Sequence, residues 1–92
     1  MKEYRDASSR LVFSLSSQEK DFARFAKRMI SLHGNPIRKL NDSLGDQRYW
    51  DFNAAGATIV LHSDVMAGVS ILVEDGAHES LLRCIVQELT GE

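Results

Sequence analysis

His62 and Asp64 stand two residues apart in a stretch of β-favouring residues. On an extended strand, residues i and i+2 face the same way, so imidazole and carboxylate would project from one surface. Such a pair could act as a base with its orienting carboxylate, which is what a small hydrolase needs, or supply two ligands to a metal. A metal centre calls for more ligands than two. Of the other histidines, His33 falls at the end of one helical pattern, where a protonated imidazole suits the dipole, and His78 in the first turn of another; neither is expected to be a ligand or catalyst. The one cysteine, Cys84, has Leu81, Leu82, Ile85 and Val86 as neighbours, an apolar setting that raises a thiol's pKa and leaves it inert. Ser8, Ser9, Ser16 and Ser17 fit no nucleophile motif, and no glycine-rich phosphate cradle is present. No catalytic, metal or cofactor site is therefore expected. The plain account of His62 and Asp64 is a polar pair on an open sheet face beside a turn.

A second pattern is basic. Lys20, Arg24, Lys27 and Arg28 recur at about one-turn intervals, with Arg38 and Lys39 close behind. A stripe of this kind neutralises phosphates, so it is the feature that would carry nucleic-acid binding. Against it stand Glu19 and Asp21 in the same stretch, the lack of interleaved aromatics and a formal net charge of -2, which gives no global attraction for a polyanion or an anionic membrane. A solvated helix face accounts for the same residues.

These groups must be positioned by 92 residues, enough for a single domain spanning 1–92. With 43% apolar and 26% charged residues the composition is globular, and folding needs no cofactor. One cysteine excludes an intrachain disulfide. No run approaches the roughly 18 apolar residues of a bilayer span, so a cytoplasmic protein with no membrane partner is expected.

Residues 1–9 are polar and are expected to fray. Leu11, Phe13 and Leu15 alternate with Val12 and Ser14, the period of a strand with one face on a core. Ser16 and Glu19 have the spacing of a capping box, and Phe22, Phe25, Ala26 and Met29 form an apolar stripe, which predicts a helix over 17–33. Gly34 and Pro36 end it. Across 35–47, Ile37 and Leu40 are expected to anchor a short helical turn. Strands follow over 48–52, 57–63 and 69–73, the first two joined by a turn at 53–56. Asp75 or Gly76 then caps a last helix whose stripe is Leu82, Ile85, Val86 and Leu89.

Pairing Ser63 with Val69 sets a register in which Ile59, Leu61, Val69, Ile71 and Val73 share a face with Trp50 and Phe52. A slip of one residue would scatter that set. The expected fold is a two-layer α+β sandwich in the order β-α-β-β-β-α, with a mainly antiparallel four-stranded sheet and two helices on the Trp50 face. The opposite face carries Tyr49, Asp51, Thr58, Val60, His62, Ser70 and Leu72, more apolar than a solvated face requires. A second copy, a partner protein or the folded-back N-terminal segment would cover it.

The run 49–75, YWDFNAAGATIVLHSDVMAGVSILVED, resembles the core of small bacterial immunity proteins and related uncharacterised α+β families. In these an aromatic strand leads into a hydrophobic-Leu-His strand and then a glycine-initiated strand before the last helix. The resemblance implies a cytoplasmic protein that acts by binding another protein. The expected function is a non-enzymatic protein–protein interaction module, immunity-like or homodimeric, whose partner-binding residues are Tyr49, Asp51, Val60, His62, Asp64, Ser70 and Leu72. Acidic Asp51, Asp64, Glu74 and Asp75 would steer a basic partner. A nucleic-acid-binding protein using the basic first helix and a small hydrolase using His62 and Asp64 are the alternatives.

Overall fold

In the computed structural model, which describes residues 2–42 and 44–91, the elements are β1 (Lys2–Arg5), β2 (Leu11–Ser16), α1 (Phe22–His33), β3 (Arg38–Asn41), β4 (Gln47–Ala54), β5 (Ala57–Asp64), β6 (Gly68–Val73) and α2 (Glu79–Thr90). Each helix is led in by a single 3-10 turn, Glu19–Asp21 and Gly76–His78. The strands form one sheet in the order β1-β2-β6-β5-β4-β3, antiparallel at every pairing.

Turn chemistry fixes the central meander. Ala55 and Gly56 both have positive φ, 51° and 83°, the two-residue turn whose twist suits a hairpin. At the next turn Asp64 Oδ1 accepts hydrogen bonds from the amides of Met66 (2.7 Å) and Ala67 (3.2 Å), and Gly68 begins β6 at φ 89°. The register that results pairs Ser63 with Val69, as the apolar pattern requires. Gly68 also faces the bulge at Ser14/Ser16 where β2 meets β6. A Cβ there would lie 2.1 Å from the Ser16 carbonyl oxygen, so only glycine lets the two strands close up.

The core lies between this sheet and both helices. Phe52, Ile59, Leu61, Val69, Ile71 and Val73 from the sheet are buried with Phe22, Phe25 and Met29 of α1 and with Leu82, Ile85, Val86 and Leu89 of α2. Trp50 sits at its margin, edge-on to Phe22 with ring centroids 5.1 Å apart, and its Nε1 donates to Asn41 Oδ1 at 3.1 Å.

The four-stranded sheet is corrected to six strands. Of the terminal segment expected to fray, residues 2–5 form β1, paired with β2 through Lys2–Ser14 to Arg5–Leu11. Met1, like Ser43 and Glu92, lies outside the described residues. Two bidentate ion pairs hold this strand to α2: Glu3 accepts from Arg83 at 3.0 and 3.1 Å, and Arg5 donates to Glu79. The short helical turn expected at Ile37 and Leu40 is instead the edge strand β3, on β4. Both added strands are short and rich in Lys and Arg, the way sheet edges resist pairing with other chains.

The start of α1 also differs from the capping box. Ser16 Oγ accepts from the Gln18 amide at 3.0 Å and donates to Asp21 at 2.6 Å. Glu19 turns to Arg48, whose guanidinium lies 4.2 Å over the Phe22 ring and whose Nε donates to buried Ser63 Oγ at 3.0 Å. Cys84, expected against apolar surface, is exposed on α2.

Candidate functional site

Neither helix covers the second face of the sheet, and the register states what stands on it. Tyr4, Val12, Leu72, Val60, Asp51 and Arg38 are successive cross-strand partners from edge to edge. Beside them runs a second row, Lys2, Ser14, Ser70, His62, Tyr49 and Leu40. Every residue expected on this face from β4, β5 and β6 is therefore there. β1 extends the face sideways and does not lie over it.

Val12, Val60 and Leu72 form a small second core, only 2%, 6% and 9% exposed. Val60 and Leu72 thus form a floor, with little of either exposed beneath the side chains around them. The exposed apolar area belongs to Tyr4 at 44% at one edge and to Tyr49 at 37% and Leu40 at 50% toward the other. Together with Val60 and Leu72, Tyr49 and Leu40 line a cleft of about 210 Å³. Its rim is charged, with Arg10 and Arg38, Asp51 and Glu74. Leu40 and Tyr49 also line a neighbouring hollow of about 440 Å³ with Asn41, Asp42 and Gln47, so they form the wall between the two.

The rim charges are not equivalent. Arg10 Nε is paired with Asp6 Oδ2 at 2.8 Å, inside a turn where Asp6 Oδ1 also accepts from the amides of Ser8 and Arg10 at 2.9 Å each. The amide of Arg10, its guanidinium and the amide of Ser8 hold the Asp6 carboxyl below the usual carboxylate range. This turn gives Ser8 and its neighbours a structural task. Arg38, Asp51 and Glu74 have no side-chain ion pair among the described residues.

His62 and Asp64 share the face as their spacing requires, but no hydrogen bond joins them among the described residues. Asp64 spends Oδ1 on the turn amides. The imidazole is stacked against Tyr49, its Nδ1 is 3.3 Å from Ser70 Oγ, and its Nε2 is buried without a partner. Burial lowers the His62 pKa, and the Asp64 charge only partly opposes that. Burial thus disfavours a charge on this half-buried ring, whose second nitrogen is closed to water.

The basic run does not form one strip. Arg24 pairs with Asp21 at 3.7 Å and lies over the Phe25 ring. Arg28 donates to the Glu88 carbonyl at 3.1 and 3.3 Å, near the end of α2. Lys39 lies 4.2 Å over Trp50 on the helix side, while Arg38 points to the other face. His33 reaches Glu88 only at 3.5 Å, without hydrogen-bond geometry. Among the described residues no three potential metal ligands cluster, and no helix is long and apolar enough to cross a membrane.

The chain matches no family model, no curated protein and no solved structure. The likeness to immunity proteins therefore rests on the strand pattern of 49–75 alone. Sequence reasoning did not place Arg10 or Leu40 at the site. Arg10 carried a signal in the Asp6 spacing across Ala7, Ser8 and Ser9, a turn with a returning ion pair. Leu40 carried none, because an isolated apolar residue in a four-residue edge strand has no period.

Proposed function

We propose that the chain is a non-enzymatic protein–protein interaction module that binds its partner through the helix-free sheet face. The observation that carries this is the preformed cleft between Tyr49, Leu40 and Asp51, an apolar floor under a rim with unpaired charges. Interfaces combine these features, an apolar aromatic centre and a polar rim that sets register. A rigid sheet presents them with little ordering on binding. The strand pattern shared with immunity proteins adds that the partner is another protein, and a second copy of the chain is the homodimeric form of the same proposal.

Leu72 is buried, so its truncation would report on folding and not on binding. The test therefore uses Tyr49→Ala and Leu40→Ser, with Lys27→Glu on the exposed side of α1 as control. Self-association is followed by light scattering and partner retention by immobilised protein. The proposal expects both face variants to lose at least one of these by tenfold or more while Lys27→Glu keeps it. Equal behaviour of all three, each with an unchanged circular dichroism spectrum, would remove this face from consideration.

A further inference from the structure

We infer that the cleft on the helix-free face receives one arginine or lysine side chain from a protein partner. This rests on the interaction-module proposal and narrows it to a chemical class of anchor. Size comes first. A cleft of about 210 Å³ falls short of the ~300–1,000 Å³ of sites that enclose whole small ligands. It suits a single long side chain.

Charge then decides which side chain. Arg10 is already paired with Asp6, so its charge is met within the chain. The rim groups with no ion pair among the described residues are two carboxylates, Asp51 and Glu74, against one guanidinium, Arg38. The balance favours a cation over an anion. An incoming guanidinium or ammonium can donate to both Asp51 and Glu74, with Arg38 left to donate to the backbone carbonyl of the same residue. The floor fits the rest of the side chain, since Val60 and Leu72 offer apolar surface to a methylene stem. Tyr49 adds an aromatic ring at the wall, the partner a cation prefers, and its stacking on His62 holds that ring in place.

The probes are N-acetyl amides of arginine, lysine, glutamate and norleucine, titrated into the ¹⁵N-labelled protein by NMR. Saturable shifts centred on Asp51, Val60 and Leu72 are expected for arginine and lysine, with dissociation constants on the order of millimolar for ligands this small. Asp51→Asn and Glu74→Gln should each weaken arginine binding tenfold or more, and Lys27→Glu on α1 should not. Stronger binding of glutamate would overturn the inference in favour of an anionic anchor. Equal binding of norleucine would overturn it in favour of a purely apolar one, and no saturable shift with any probe would also overturn it. The broader proposal fails separately: if Tyr49→Ala still loses partner retention or self-association while no basic probe binds, the face is an interface and only the anchor is wrong.

Discussion

The ring of Tyr49 lies flat on the imidazole of His62, with centroids 4.3 Å apart and planes 16° from parallel. The two are cross-strand partners on β4 and β5, so the sheet register itself holds them face to face. Stacking closes the imidazole on one side, and Nε2 is buried with no acceptor or donor to meet it. A proton on that nitrogen would place a charge where nothing solvates it.

The folded-state pKa of His62 therefore lies below that of the unfolded chain. The unfolded chain takes up the proton first, so the neutral ring contributes stability above the ordinary imidazole range, and that contribution is lost as pH falls towards the folded value. In urea titrations the wild-type midpoint should drop between about pH 7 and 5, and His62→Phe, which keeps the stack without the titration, should show a smaller drop. Parallel pH profiles for the two proteins would contradict the lowered His62 pKa.

Gly68 and Gly56 share a positive φ, 89° and 83°, but not a neighbourhood. An added Cβ at Gly56 meets nothing within 4 Å, whereas at Gly68 it meets Ser16 and Ser17 backbone atoms. Gly56→Ala should cost about 1 kcal/mol, the penalty of the left-handed region alone. Gly68→Ala should cost clearly more, at least about 2 kcal/mol, because β2 must also move away from β6. Chemical denaturation of both variants measures the difference, and equal losses would mean the β2–β6 approach is looser than described.

β1 is held to α2 by carboxylates. Glu3 and Glu79 are kept below the usual carboxylate range chiefly by their hydrogen bonds to Arg83 and Arg5. Their stabilisation is present above the ordinary carboxylate range and is lost as pH falls through the lower folded values. Exposed pairs contribute little to the whole fold, so the effect should be local. Amide-exchange protection of β1 should fall between about pH 5 and 3 while that of β5 persists. Simultaneous loss along both strands would show that β1 is held by something other than these pairs.

How much of this was readable depends on burial. The meander, both helices and the assignment of faces follow from apolar residues at periods of two and about 3.6, and a strand packed on a core must show that period. Lys2–Arg5 and Arg38–Asn41 show none, since edge strands gain their order from the neighbour that hydrogen-bonds them and carry charges on both sides. Glu19 illustrates another limit. Its spacing from Ser16 satisfied a local rule, yet Arg48 of β4 offered a partner beside the Phe22 ring, and the long-range pair won. The cleft was half visible: the register placed Tyr49, Asp51, Val60 and Leu72 on one face, but only the fold shows that Val60 and Leu72 lie beneath its rim.

The place of β2 between β1 and β6 sets an order of events for a growing chain. β1 and β2 can form a hairpin as soon as they emerge, but the other edge of β2 has no partner until β6 has been made, with residues 17–67 still to come between them. Closing so long a loop is slow compared with folding the adjacent strands β4, β5 and β6 on one another. The meander should thus assemble first around its two turns, and the N-terminal hairpin should dock onto β6 last, through the gap that Gly68 leaves open. Until then Leu11 and Phe13 remain in water, so the nascent chain is most prone to aggregate before β6 appears.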